Sequence, residues 1–284
     1  MNYNFSEDLK SIREILGISQ EKFAKQLGVE QVTISRNETG KTEPSVNLLE
    51  SVYSYAFKNN IRINKLKEML WRENLDTNMK LLFHGAKGCI EGAIDIHKGR
   101  SNNDFGRGFY TGESYEQAVS FVSGFDKSCV YYLGFDDRQL TCKKYAVDQE
   151  WMMTIAYYRG ALEEYKEHPT IKAFVDNSRK CDYIIAPIAD NRMFQIINSF
   201  IAGELTDEQC KHCLAATNLG MQYVMVSDKA AARIKIVERA FISEKEREYF
   251  RNVRTNDSKL GDDKVKLAKR QYRGQGRYID EILT

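Results

Sequence analysis

Proline is nearly absent from this 284-residue chain, with three in all, and no apolar run approaches the roughly 20 residues that cross a bilayer. The first absence leaves little room for a disordered linker; the second argues against a membrane partner. The opening Met1-Asn2-Tyr3-Asn4 has neither the basic region nor the apolar core of a secretory signal. Six cysteines are scattered with no spacing that suggests a disulfide framework, so reduced thiols and a cytoplasmic setting are expected. Cys210-Lys211-His212-Cys213 has metal-like spacing, but zinc needs about four ligands and no second pair accompanies it. No metal is expected, and on a helix the two thiols share a face and pack. Net charge is only +2, yet it is uneven. From Arg233 onward there are fourteen basic residues against nine acidic, and from Met1 to Lys58 seven against eight.

The apolar pattern changes period along the chain. Ile12, Leu16, Phe23, Ala24, Leu27, Val29, Ile34, Leu48, Leu49 and Val52 recur at helical spacing and predict a small all-helical head over about residues 1–60. Ile61 to Met79 is charged, amphipathic and free of glycine and proline, a helical connector over 61–79. From Lys80 short apolar runs take over: Leu81–Phe83, Val130–Leu133, Tyr183–Ala186 and Tyr223–Val226 read as buried strands. Helical segments lie between them, near Tyr115–Phe125, Gln149–Arg159, Asn191–Ile201 and from Thr206. The expectation is a multidomain protein: an all-α head, an α+β body over 80–240, and a basic helical tail over 241–284. Thr206 with Gln209, and Ser243 with Glu246, have the spacing of capping boxes.

Within the head, Ser19 can cap a second helix, Gly28 supplies a tight turn, and a third helix starts near Gln31. The run from Ser19 to Arg36 resembles the helix-turn-helix of the phage repressor and Cro class. That resemblance implies that Gln31, Val32, Thr33 and Arg36 face DNA bases, and that Gln20 meets the backbone. Glutamine pairs with adenine, arginine with guanine, and valine touches a thymine methyl. Glu30 stands where a small capping hydroxyl is usual and brings negative charge close to phosphate. A head that instead dimerises or binds protein is the alternative reading.

In the body, Phe83-His84-Gly85-Ala86 ends an apolar run, and Asp104-Phe105-Gly106-Arg107-Gly108-Phe109-Tyr110-Thr111 follows about two dozen residues later. The pairing resembles the first two signatures of ADP-ribosyltransferases, in the branch shared by diphtheria toxin and the poly(ADP-ribose) polymerases. The resemblance implies NAD as substrate and the following roles. His84 bonds a ribose hydroxyl, Gly85 holds the nicotinamide amide through its backbone, and Tyr110 stacks on the nicotinamide ring beside Phe109. Arg107 reaches the pyrophosphate. The family's third element is a glutamate at the start of a late strand. Gly220-Met221-Gln222-Tyr223-Val224 places Gln222 there, an amide that keeps the hydrogen-bonding shape and loses the charge. Asp190, after a strand ending at Pro187, is the candidate replacement acid and equally a helix cap.

The body is also similar to uncharacterised bacterial transferase-like domains found beside helix-turn-helix modules, in toxin–antitoxin and phage-defence settings. The leading expectation is mono-ADP-ribosyl transfer from NAD to a macromolecule, protein or nucleic acid, with an antitoxin as a further partner and a homodimer on DNA. The rivals are an NAD or ADP-ribose sensor that controls transcription without turnover, and a DNA-binding protein whose body only dimerises. In the tail, Lys264, Lys266, Lys269, Arg270, Arg273 and Arg277 could meet nucleic acid or form the solvated face of a docked helix.

Overall fold

The computed structural model describes residues 3–215 and 220–284. In chain order its elements are α1 (Phe5–Ile15), α2 (Gln20–Leu27), α3 (Gln31–Glu38), α4 (Val46–Lys58), α5 (Ile63–Asn74), β1 (Lys80–Ala86), β2 (Phe109–Gly112) and α6 (Tyr115–Val122). There follow β3 (Cys129–Phe135), β4 (Cys142–Lys144), α7 (Gln149–Tyr158), α8 (Pro169–Arg179), β5 (Tyr183–Pro187), α9 (Asn191–Ile201) and α10 (Asp207–Ala215). The chain closes with β6 (Met221–Met225), α11 (Asp228–Ala231), β7 (Ile234–Phe241), α12 (Glu244–Gln271) and α13 (Ile279–Ile282). This is an all-helical head, a mixed α/β body and a helical tail. By compactness the chain divides into two units: residues 1–90, 114–135 and 235–254 in the first, and 91–113, 136–234 and 255–284 in the second.

The first unit holds the head, the connector and the strands β1, β3 and β7, which hydrogen-bond in that order. Local chemistry sets the head's turns. The Ser19 hydroxyl accepts from the Lys22 amide, and Gly28 ends α2 in the left-handed region at φ 67°. Ser45 caps α4 through the Leu48 amide. Phe5, Leu9, Ile12, Phe23, Ile34, Leu49 and Val52 close the head's core. β1 and β3 run antiparallel with Leu82 opposite Leu133, and α6 packs Ala118 and Val122 against them. The charged β7 does not read as a strand from its sequence: Lys235, Glu238 and Arg239 break the apolar pattern.

Two buried polar clusters tie this unit together. The Lys67 ammonium on α5 pairs with Asp8 on α1 at 2.8 Å and with Glu238 on β7. Tyr53 donates to Asp8, and Trp71 donates its indole N–H to Glu238 at 2.6 Å. In the second cluster Tyr115 donates to Glu246 at 3.0 Å, and Asn64 donates to the other oxygen at 3.0 Å. Ser243 does bond the Glu246 amide, at 3.4 Å, but the Glu246 carboxylate turns inward to Asn64 and Tyr115. Only half of the expected capping box forms here. At Thr206 and Gln209 both halves form, at 3.2 and 3.3 Å.

Burial pushes the Glu246 carboxyl up to about 7 from 4.5, against the lowering effect of the Tyr115 and Asn64 hydrogen bonds. Because its folded pKa is raised, the stability it lends is fully present below pH 4.5 and is lost as pH rises through about 7. The expected contribution of this one group is a loss of about 3 kcal/mol between those limits. Denaturant unfolding of wild type and Glu246→Gln at pH 5 and pH 8 checks it: the variant should show the flatter dependence.

The second unit has strands in the order β4-β5-β6-β2, with β4–β5 parallel and the other pairs antiparallel. Trp151, Ile155, Ile184, Met193, Ile197, Phe200 and Val224 form its core, which Ala268 and Ile279 also join. Asp148 and Asp190 cap α7 and α9 through the Trp151 and Met193 amides, both at 2.9 Å. Cys210 and Cys213 are buried and pack in this core, and burial pushes both thiols up. Among the described residues no group of His, Cys, Asp and Glu is arranged to hold a metal ion. No helix of the described residues is long and apolar enough to cross a membrane.

Candidate functional site

In the head, the start of α2 is wired to the start of α3. The Gln20 amide nitrogen donates to Glu38 at 2.7 Å, and its oxygen accepts from the Gln31 amide at 2.7 Å. Arg13 fixes Glu38 from the other side at 2.6 Å. Gln31 keeps its oxygen and one N–H for another partner, the donor–acceptor pair that matches an adenine edge. Gln31, Val32 and Arg36 are exposed and Thr33 is half-buried, while Ile34 and Asn37 bury the opposite side of α3. Glu30 is the residue preceding α3, and its side chain makes no capping bond.

In the first unit's strands, His84 sits mid-β1, half-buried and opposite Tyr131 of β3. Gly85 faces α6. A Cβ there would lie 2.5 Å from the Ala118 carbonyl oxygen and 2.8 Å from a Val122 methyl, so close helix–strand packing alone requires glycine. This steric demand gives Gly85 a structural role beside the ligand role its sequence suggests.

The second unit brings Tyr110 and Gln222 together. On the paired strands β2 and β6, Tyr110 lies opposite Val224 and Gly112 opposite Gln222. Residues two apart on a strand share a face, so Tyr110 and Gln222 are diagonal neighbours on one face, about 7–8 Å apart between Cα atoms. Gly108 lets β2 begin there, since a Cβ would meet the Met225 carbonyl oxygen at 2.9 Å. The Tyr110 hydroxyl donates to the Gly106 carbonyl at 2.8 Å and accepts from the Phe105 amide at 3.0 Å, fixing the loop before β2. Burial, with Asp104 adding to it, raises the Tyr110 phenol far above its ordinary pKa, so it stays neutral. Phe109 is buried and Arg107 is exposed.

On that face, in contact with Gln222, lies a buried charge cluster that motif spacing does not reveal. Asp104 is 5 % exposed. It accepts from the Arg159 guanidinium at 2.9 Å through Nε and again through Nη2. The Gln222 amide nitrogen donates to Asp104 at 2.8 Å and to the Pro187 carbonyl at 3.1 Å. Arg159 also donates to the Ala189 carbonyl at 2.5 Å, and the Ala189 amide donates to Asp104 at 3.3 Å. Gln222 therefore has both N–H bonds committed, and its oxygen is the atom left to accept from a ligand. Asp190, next to Ala189, caps α9 through one carboxylate oxygen. Asp104 and Arg159 are the site residues that sequence reasoning passed over. Asp104 stands two residues before Gly106-Arg107-Gly108-Phe109-Tyr110 and Arg159 ends α7, with no local pattern to join the two.

Comparison with known families adds two matches. Residues 79–236 match the family described as "Protein of unknown function (DUF3990)", and residues 9–52 match a helix-turn-helix family. No curated protein and no solved structure matches the chain.

Proposed function

We propose that this chain, which belongs to the DUF3990 family, is an NAD-dependent ADP-ribosyltransferase that modifies a macromolecule, with a helix-turn-helix head that reads DNA. The observation that carries the body's part is the pairing of Tyr110 and Gln222 on one strand face, with the Gln222 amide oriented by Asp104 and Pro187. Tyr110 offers a flat ring on which nicotinamide stacks. The Gln222 oxygen accepts from a hydroxyl of the nicotinamide ribose, and the exposed Arg107 meets pyrophosphate. For His84 and Gly85, in the first unit, the family resemblance alone supports the ribose and amide roles. In the reaction the ribose–nicotinamide bond breaks, its electron pair leaves on nicotinamide, and positive charge develops on the ribose. The acceptor's nucleophile then bonds the ribose carbon and sheds its proton.

An amide at Gln222 supplies a dipole where a glutamate would supply a full charge, so turnover is slow. That same neutrality supports a second reading, an NAD-sensing regulator that binds without cleaving. The similarity to transferase-like domains of toxin–antitoxin and phage-defence settings makes an antitoxin a natural partner for the first reading.

Binding is separable from turnover. NAD should raise the melting temperature by ordinary linkage. His84→Ala and Tyr110→Ala should each remove most of that rise, whereas Tyr110→Phe, which keeps the ring, should retain it. An equal rise in all four proteins places the NAD pocket elsewhere.

For the head, the expected result is operator binding as a dimer on half-sites about one helical turn apart. Arg36→Ala should cost about 1–3 kcal/mol and relax the preference at one base position. Selection from a random duplex pool, followed by titration at fixed salt, reads both effects. Wild type and Arg36→Ala binding every duplex equally would contradict a DNA-reading head.

A further inference from the structure

The first unit carries a groove of about 520 Å³ between α1 and α5 that the unit's own described residues leave open. One wall is Glu7, Ser11, Glu14 and Ile15; the other is Ile63, Leu66, Leu70 and Asn74. Ile15 is 54 % and Leu70 57 % exposed, and Leu66 is also uncovered. Its charge is one-sided. Asp8, Glu238, Glu7 and Glu14 line it against the single ammonium of Lys67, which the first two already hold. Two such grooves face to face would set carboxylates against carboxylates, so the groove is not complementary to itself. Its occupant must be a narrow apolar ridge with basic flanks.

The second unit's part of α12 presents that ridge. Val265, Ala268 and Tyr272 of α12 pack into that unit's core. On another side of the helix Leu260 and Leu267 stand 59 % and 66 % exposed. Seven residues apart, they return to nearly the same angle, about 10 Å along the axis. Exposed Lys259, Lys264, Lys266 and Arg270 flank them and outnumber Asp262, which meets Arg192 at 3.3 Å, and Asp263, which holds Lys266 at 3.2 Å. The apolar wall of α5 from Ile63 to Asn74 is about 17 Å long, enough to seat both leucines.

We infer that α12 of a second copy occupies this groove, each copy giving its Leu260–Leu267 ridge to the other in a two-fold dimer. Leu260 and Leu267 bury against Leu66, Leu70 and Ile15, and the flanking lysines face Glu7 and Glu14. The exchange would also supply the pair of heads that a palindromic operator demands, although it rests on neither the NAD nor the DNA reading.

The test is sedimentation of the full chain at micromolar concentration, with Leu70→Lys in the groove and Leu267→Glu on the ridge. Both positions are exposed, so the fold itself is not at stake. Wild type should be a dimer, weakened by raised salt, and each variant should associate at least tenfold more weakly. Mixing the two variants should restore a heterodimer, because one keeps an intact groove and the other an intact ridge. A monomeric wild type, a dimer that neither variant weakens, or variants that fail to reassociate on mixing would each overturn the inference.

Discussion

Replacing Lys67 with methionine is expected to destabilise the protein by about 3–5 kcal/mol, the cost of leaving buried carboxylates without their counter-charge. Asp8 and Glu238 are 4 % and 8 % exposed, and both contact the Lys67 ammonium. Burial works against the charge on Lys67, but Asp8 and Glu238 outweigh it and hold its pKa above the ordinary value. Methionine fills similar volume, so the loss is electrostatic rather than a cavity effect. Adding Asp8→Asn and Glu238→Gln in the Lys67→Met background should recover much of it, because the unpaired charges then disappear. Urea unfolding of the single and triple variants measures both. A loss under about 1 kcal/mol for Lys67→Met would mean that water reaches the cluster.

The second large effect is at Asp104. Asp104→Ala strands the Arg159 guanidinium and one N–H of Gln222, at an expected cost of about 3 kcal/mol. The informative companion is Gln222→Glu. It introduces the glutamate that ADP-ribosyltransferases carry at the start of a late strand, but it sets a second carboxylate where the Gln222 nitrogen now donates to Asp104 at 2.8 Å. Two carboxylates so close share a proton, so this variant should be unstable at pH 8 and recover toward pH 5. In an Asp104→Asn background Gln222→Glu should be tolerated at both pH values, since the asparagine can donate to the new carboxylate. Independent, additive effects of the two substitutions would contradict a direct Asp104–Gln222 bond.

Local signals made much of the fold legible. Ser19, Gly28 and the apolar spacing placed the head's helices, and the helices expected at Asn191–Ile201 and from Gln149 formed. The short apolar runs at Leu81, Val130, Tyr183 and Tyr223 all became strands. β7 was hidden because its alternating charges are partnered over long range: Glu238 meets Trp71 and Lys67, far away in sequence. The site was legible to the same limit. Tyr110 and Gln222 could be named from motif positions, but their shared face depends on the β2–β6 register. The Asp104–Arg159 pair joins residues 55 positions apart, and nothing in either neighbourhood announces the other. Asp190 caps its own helix through one carboxylate oxygen, which is one of the two roles its position allowed.

The central claim, that this body cleaves NAD at a site built on Tyr110 and Gln222, is tested most directly by nicotinamide release from labelled NAD. Full-length wild type, Tyr110→Ala and Gln222→Ala should be compared at equal concentration, over hours to capture slow turnover. Slow release by wild type that falls at least tenfold in both variants is the expected result. Release unchanged in both variants, or none from any protein even with saturating NAD, would contradict it.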